Sequence, residues 1–140
     1  MELRFQENCK NVEWEEIPLL LNQVGMSSTT VERHRVSFEN SYAVIFVFDQ
    51  EKLIACGRMI SDGVRQAAIY DVAVNLAYQG QKVGTEIMKR LLAKVVGCNV
   101  ILYASPGKED FYRQLNFKKM KTGMALFASV ERMENSEFVE

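Results

Sequence analysis

The order of elements between residues 67 and 104 constrains this chain more than any other feature. Ala67-Ala68-Ile69-Tyr70-Asp71-Val72-Ala73-Val74 has the small and β-branched character of a strand. Behind it, Val83, Ile87, Leu91, Leu92 and Val95 recur at helical spacing, and Gly97 suits the helix end. Val100-Ile101-Leu102-Tyr103-Ala104 then reads as a buried-type strand. Strand, helix and strand at this spacing make a crossover unit, so the two strands are parallel neighbours.

The flanking sequence predicts an antiparallel remainder. Leu3 to Glu7 alternates as a first strand, and Trp14, Ile17, Leu20, Leu21 and Val24 follow at helical spacing. Pro18 either kinks that helix or lies in its first turn. Thr29-Thr30-Val31-Glu32 resembles a capping box for a second helix reaching about Asn40. Ala43 to Phe48 and Leu53 to Ile60, separated by Asp49-Gln50-Glu51, predict a hairpin, with Ser61-Asp62-Gly63 turning into the strand at Ala67. Ser105-Pro106 fits the cap and first position of a short helix through Lys108, Phe111, Tyr112 and Leu115, with Asn116 left-handed at its end. Phe117 to Lys121 and Met124 to Ser129 predict a closing hairpin around Thr122-Gly123.

The expected fold class is therefore α/β (α+β). It is a single domain over 1–130 with a mixed, mostly antiparallel sheet of six to seven strands, a central parallel βαβ unit and about four helices, and a loosely held tail over 131–140. A length of 140 residues suits one core. With 17 basic and 18 acidic residues no strong field exists to collect nucleic acid or an anionic membrane. Cys9, Cys56 and Cys98 are odd in number and never spaced as C-x-x-C, so neither a disulfide framework nor a metal site is expected, and the reading is cytoplasmic.

Chemistry is expected where the strand ending at Val74 turns into the long helix. Gln79-Gly80-Gln81-Lys82-Val83-Gly84-Thr85 opens that helix, where free amides and the macrodipole favour an anion and glycine lets one approach the backbone. The P-loop ending G-K-[ST] and the Rossmann G-x-G-x-x-G are both absent. Turn geometry alone is the alternative account of these glycines.

Gln79-x-x-Lys82-x-Gly84 behind an apolar strand resembles the Q/R-x-x-G-x-G/A signature of the GCN5-related N-acetyltransferases, the GNAT family. Asp110-Phe111-Tyr112-Arg113-Gln114-Leu115-Asn116-Phe117 is similar to that family's later F-Y-x-x-x-G-F element. Lys82 and Asn116 stand where the family usually has glycine. Asp71-Val72-x-Val74 before the signature gives a slight similarity to the glucosamine-phosphate N-acetyltransferases.

The resemblance implies acetyl-CoA as the acyl donor and a primary amine of a small molecule or peptide as acceptor, joined in a ternary complex. It implies that the amides of Gln81, Lys82, Val83, Gly84 and Thr85 face the pyrophosphate, that the pantetheine arm runs along Val72, Ala73 and Val74, and that Gln79, Gly80 and Phe111 also belong to the cofactor site. Tyr112 matches the family's tyrosine acid; its alternative is an amphipathic ring at the core edge. A base is open: Asp71 on a strand bulge, with Tyr70 orienting a water, stands against a solvent-facing Asp71. The sole histidine, His34, is expected on the surface among Glu32, Arg33 and Arg35, and Trp14, Phe38 and Tyr42 are either pocket or core. Neither nucleic acid nor membrane is an expected partner, and the chain is expected as monomer or homodimer. The competing class is a non-catalytic coenzyme A-binding or regulatory module; an interaction domain without cofactor is a third.

Overall fold

The computed structural model describes residues 2–140, which divide into two compact units, the first running to Leu102 and the second covering Tyr103–Glu140. The first unit contains β1 (Leu3–Gln6), α1 (Glu16–Gln23), α2 (Val31–Glu39), β2 (Ala43–Asp49), β3 (Lys52–Ser61), β4 (Gln66–Val74), α3 (Val83–Leu92) and β5 (Asn99–Ile101). The five strands form one sheet in sequence order, antiparallel except for the β4–β5 pair. The crossover through α3 thus gives the parallel pairing that the sequence demands.

Alternation along β2 divides the core between the sheet's two faces. Val44, Phe46 and Phe48 join Ile17, Leu20, Leu21 and Phe38 of α1 and α2, and Trp14 packs its ring 5.9 Å from both Phe38 and Phe46. Pro18 lies in the first turn of α1, so it costs no interior hydrogen bond. On the opposite face α3 buries Val83, Ile87, Met88 and Leu91, with Ile87 beside Ile45 at the site of Gly57. Gly57 is required by space: a Cβ there would lie 3.0 Å from Ile87 Cγ2 and 3.3 Å from Val72 Cγ2.

Several expectations are corrected. Among the described residues five strands stand where six to seven were expected, and five α-helices where about four were. The parallel pair lies at the sheet edge, not its centre, and β5 is a short, partly exposed strand instead of a buried one through Ala104. Neither 117–121 nor 124–129 forms a strand. Met124 and Leu126 are 98% and 92% exposed, and a two-stranded ribbon without a buried face is marginal. Thr30, not Thr29, caps α2 by accepting the Arg33 amide, while Glu32 pairs with Arg35 instead of reaching back. Ser105-Pro106 begins a turn closed by Lys108 N–H to Ser105 C=O, and the helix waits until α4 (Glu109–Arg113).

In the second unit, α4 is followed by α5 (Val130–Asn135), where Arg132 lies 4.6 Å from the Phe127 ring and Phe138 meets Tyr103 edge-on at 5.2 Å. No helix of the described residues is long and apolar enough to cross a membrane. Gly57→Ala tests the closeness of α3 to the sheet: overpacking is expected to cost about 1–3 kcal/mol, read as a lower urea midpoint with unchanged slope.

Candidate active site

The decisive irregularity is at the middle of β4. Arg58 pairs with Tyr70 and Cys56 with Ala73, so Asp71 and Val72 together oppose Gly57. This is a β-bulge, and Asp71 takes the left-handed conformation at φ 57°. Three consecutive residues of β3 surround it. The Cys56 thiol donates to the Asp71 carbonyl at 3.3 Å, Gly57 leaves the space, and Arg58 Nε–H donates to Asp71 Oδ2 at 2.6 Å. Arg58 also lies 5.3 Å from the centre of the Tyr70 ring and 5.8 Å from that of Phe38.

β4 has already separated from β5 when it reaches the bulge. Their pairing covers Gln66 to Ala68 and stops, although β4 continues to Val74. Asn75 N–H donates to Ile54 C=O at 2.8 Å, which makes Asn75 and, two residues earlier, Ala73 the inward-bonding positions. Alternation then turns the N–H and C=O of Val72 and Val74 towards the gap, whereas Ala73 bonds to β3 and buries its side chain. The sequence reading put all three along the gap; Val72 and Val74 are the two with outward backbone. Of these, Val74 C=O accepts from a side chain of this chain, Gln79; the Val72 groups and the Val74 N–H demand a partner from outside the sheet.

The gap leads directly to the start of α3. Asn75 caps the 3₁₀ turn Leu76–Tyr78 by accepting the Ala77 amide, and Gln79 Nε2 donates to Val74 C=O at 3.0 Å. The turn at Gly80 (φ 81°) and Lys82 (φ 64°) then aims the chain into the helix. The first bond into α3 is Glu86 N–H to Lys82 C=O, and no side chain caps the helix. The amides of Val83, Gly84 and Thr85 therefore have no intrahelical acceptor. Val83 itself is buried, Gly84 and Thr85 are half-buried, and Gln81 and Lys82 are exposed. A strand edge with outward peptide groups and an uncapped helix start form one continuous polar track, suited to an amide-bearing chain ending in an anionic group.

A profile of the acetyltransferase (GNAT) family matches residues 7–117. The chain belongs to this family. Among curated relatives, the GNAT protein is 33% identical over 125 residues to the chloroplastic serotonin N-acetyltransferase 2 of Oryza sativa subsp. japonica, covering 81% of this chain and 62% of that one. It is also 33% identical over 105 residues to an uncharacterised ycf52-like N-acetyltransferase of Prochlorococcus marinus, covering 70% and 58%. The chain thus spans about three fifths of the length of these relatives. Among solved structures, a GNAT family acetyltransferase from Streptococcus pneumoniae superposes with TM-score 0.76 at 22% identity, covering 90% and 98%. Glucosamine-6-phosphate N-acetyltransferase from Arabidopsis thaliana superposes with TM-score 0.68 at 19% identity, covering 90% and 99%, a likeness of fold.

Both departures from the GNAT glycines have one conformational meaning. Lys82 and Asn116 hold φ of 64° and 72°, the region in which glycine is free of strain. Asparagine tolerates it well; lysine there costs about 1 kcal/mol of backbone strain. Asn116 follows α4 as expected, with Phe117 N–H returning to Tyr112 C=O at 3.1 Å. In this second unit Tyr112 packs edge-on against Phe111 at 4.9 Å and Phe117 at 5.9 Å, and burial pushes its phenol above the ordinary range.

Sequence reasoning missed the groups of β3 that hold the bulge. The available signal was Gly57 inside an apolar strand, which marks a bulge or a close approach, followed by a charged Arg58. His34 was misread: it is 5% exposed, and its Nε2 accepts the Thr29 amide at 2.9 Å. Phe38 and Trp14 belong to the core, while Tyr42 is exposed. His34 lies on the α2 surface facing the sheet, where Glu32 and Arg35 point elsewhere.

Burial lowers the His34 pKa below its ordinary 6.5, with Asp71 opposing and Arg58 reinforcing the shift. The folded chain therefore binds this proton less readily than the unfolded chain. His34's contribution to stability is complete above about pH 6.5 and declines as the pH falls from there towards the lower folded value. His34→Gln, which retains an acceptor for the Thr29 amide, is expected to flatten that acid-side decline in urea titrations at pH 7.5 and pH 5.5. An unchanged slope excludes His34 as its source.

Proposed function

We propose that the protein transfers acetyl from acetyl-CoA to a primary amine of a small molecule or peptide, by direct attack in a ternary complex. The observation that carries this reading is the unbroken track from the outward backbone of Val72 and Val74 to the free amides of Val83, Gly84 and Thr85. It fits a donor with amide groups along its arm and a pyrophosphate at its end. When bound, acetyl-CoA supplies an acetyl group activated as a thioester.

In this reading Val72 and Val74 hydrogen-bond the pantetheine amides, and the α3 amides with the helix dipole hold the pyrophosphate. Gln79 fixes the corner by its bond to Val74 C=O. Tyr112 protonates the departing thiolate. Its raised pKa keeps the phenol protonated at neutral pH, the form an acid requires, and positioning rather than acidity makes donation effective. Asp71 or a water held by Tyr70 accepts the proton lost by the amine. At neutral pH only about one aliphatic amine in a thousand is uncharged, so an acceptor for that proton raises the reactive fraction. The name of the rice relative makes arylalkylamines a natural first group of acceptors for this chain.

The test measures binding and turnover together. Calorimetry is expected to show saturable acetyl-CoA binding by the wild type, and an amine panel to release free coenzyme A. Gly84→Glu places a carboxylate and bulk at the proposed pyrophosphate and is expected to abolish binding in a folded protein. Tyr112→Phe is expected to lower kcat by about 10²-fold with little change in cofactor affinity. Unchanged affinity in folded Gly84→Glu would reject the site. Saturable binding without turnover of any amine would favour a non-catalytic coenzyme A-binding module.

A further inference from the structure

The bulge in β4 decides which peptide groups face the gap, and its geometry is not self-supporting. Pairing runs from Tyr70 opposite Arg58 to Ala73 opposite Cys56, one residue out of step. Removing the extra residue would restore simple alternation and move Val72 and Val74 to the inward-bonding positions, leaving Ala73 outward. The whole face presented to a ligand would change. Yet the bulge depends on a non-glycine residue in the left-handed region, a conformation that persists only where its surroundings enforce it.

β3 supplies the enforcement. Gly57 makes the bulge possible by leaving space, and the Cys56 thiol is a weak donor to the Asp71 carbonyl. Arg58 supplies the strong contact, a charge-assisted hydrogen bond to Asp71 Oδ2 at 2.6 Å between side chains 16% and 21% exposed. The guanidinium is itself fixed, with Phe38 and Tyr70 rings beside it and Nη1–H reaching Ser41 Oγ at 3.5 Å. Pre-ordering of this kind reduces what must be immobilised to hold Asp71.

We propose that Arg58 is a positioning residue for acetyl transfer: by clasping Asp71 it holds the β4 bulge in the register that turns Val72 and Val74 outward, and it sets the Asp71 carboxylate for the acceptor. The proposal rests on the reading that acetyl-CoA lies along Val72 and Val74. Arg58 acts through Asp71 and needs no contact with either substrate. Loss of the guanidinium while the non-glycine Asp71 remains at the bulge therefore weakens donor binding as well as turnover, whereas simple loss of an acceptor contact affects turnover alone.

A mutant cycle on the whole chain tests it. Arg58→Met keeps the length that packs on Phe38 and Tyr70 but removes the donor; Asp71→Gly removes the carboxylate while relieving the left-handed strain. Acetyl-CoA affinity by calorimetry and kcat with a confirmed amine are measured below the unfolding transition. Arg58→Met is expected to weaken acetyl-CoA binding by about tenfold and lower kcat, Arg58→Lys to recover part of both, and Asp71→Gly to retain affinity. Within Asp71→Gly, Arg58→Met is expected to change affinity by less than about twofold, because nothing remains to clasp. Should Arg58→Met not fold, Arg58→Lys replaces it in the cycle, with a smaller loss that likewise vanishes beside Asp71→Gly. Wild-type affinity and kcat in Arg58→Met, or an equal loss in both backgrounds, overturns the proposal while leaving the acetyl-CoA reading intact. Failure of the wild type to bind acetyl-CoA overturns the reading itself.

Discussion

The ion pair between Arg58 and Asp71 underlies the chemistry proposed for this protein, because it anchors the bulge at which β4 departs from regular pairing with β3. A regular β4 would alternate without interruption and pair along its length. The pairing with β5 stops at Ala68, Asp71 beyond it is left-handed, and the outward peptide groups of Val72 and Val74 meet no neighbouring strand. Part of the stability available from regular pairing has been exchanged for a gap lined by outward peptide groups.

The remainder of the first unit secures that arrangement from both faces. α1 and α2 cover the face containing Phe46, Cys56 and Ala73. α3 covers the other face so closely that Gly57 cannot carry a side chain without movement of Ile87 or Val72. The placement of α3 serves packing and the proposed donor site at once. Its apolar stripe fixes the helix against the sheet, and that fixes where its first free amides lie relative to the end of β4. The corner between them is short and internally bonded through Asn75 and Gln79.

Much of this was legible in the sequence because it depends on periodicity and turn chemistry. The helical stripe from Val83 to Val95 and the strand before it required a parallel pair, and glycines at a helix entrance drew attention to the uncapped start of α3. The left-handed role of Asn116 was also legible, since asparagine is suited to that conformation. Less legible were properties set by tertiary contacts. His34 is flanked in sequence by charged residues, yet the helix turns it inwards, where it accepts a backbone amide. Arg58 sits among apolar residues and gives no sign of its partner, which is thirteen positions away on another strand. The expected closing hairpin failed for a different reason. Alternation in 117–129 specifies a strand only where a sheet or core is available to cover one face, and Met124 and Leu126 are exposed.

The central claim, that acetyl-CoA lies on the track from β4 to α3, is tested most directly by amide chemical shifts of the folded protein during a titration with acetyl-CoA. The account predicts that the largest changes fall on Val72, Val74, Val83, Gly84 and Thr85, that Ala73 moves less than either valine because its amide bonds to β3, and that all of them saturate together. Saturation with the largest changes elsewhere, and with Val72, Val74 and the α3 amides unmoved, would contradict it.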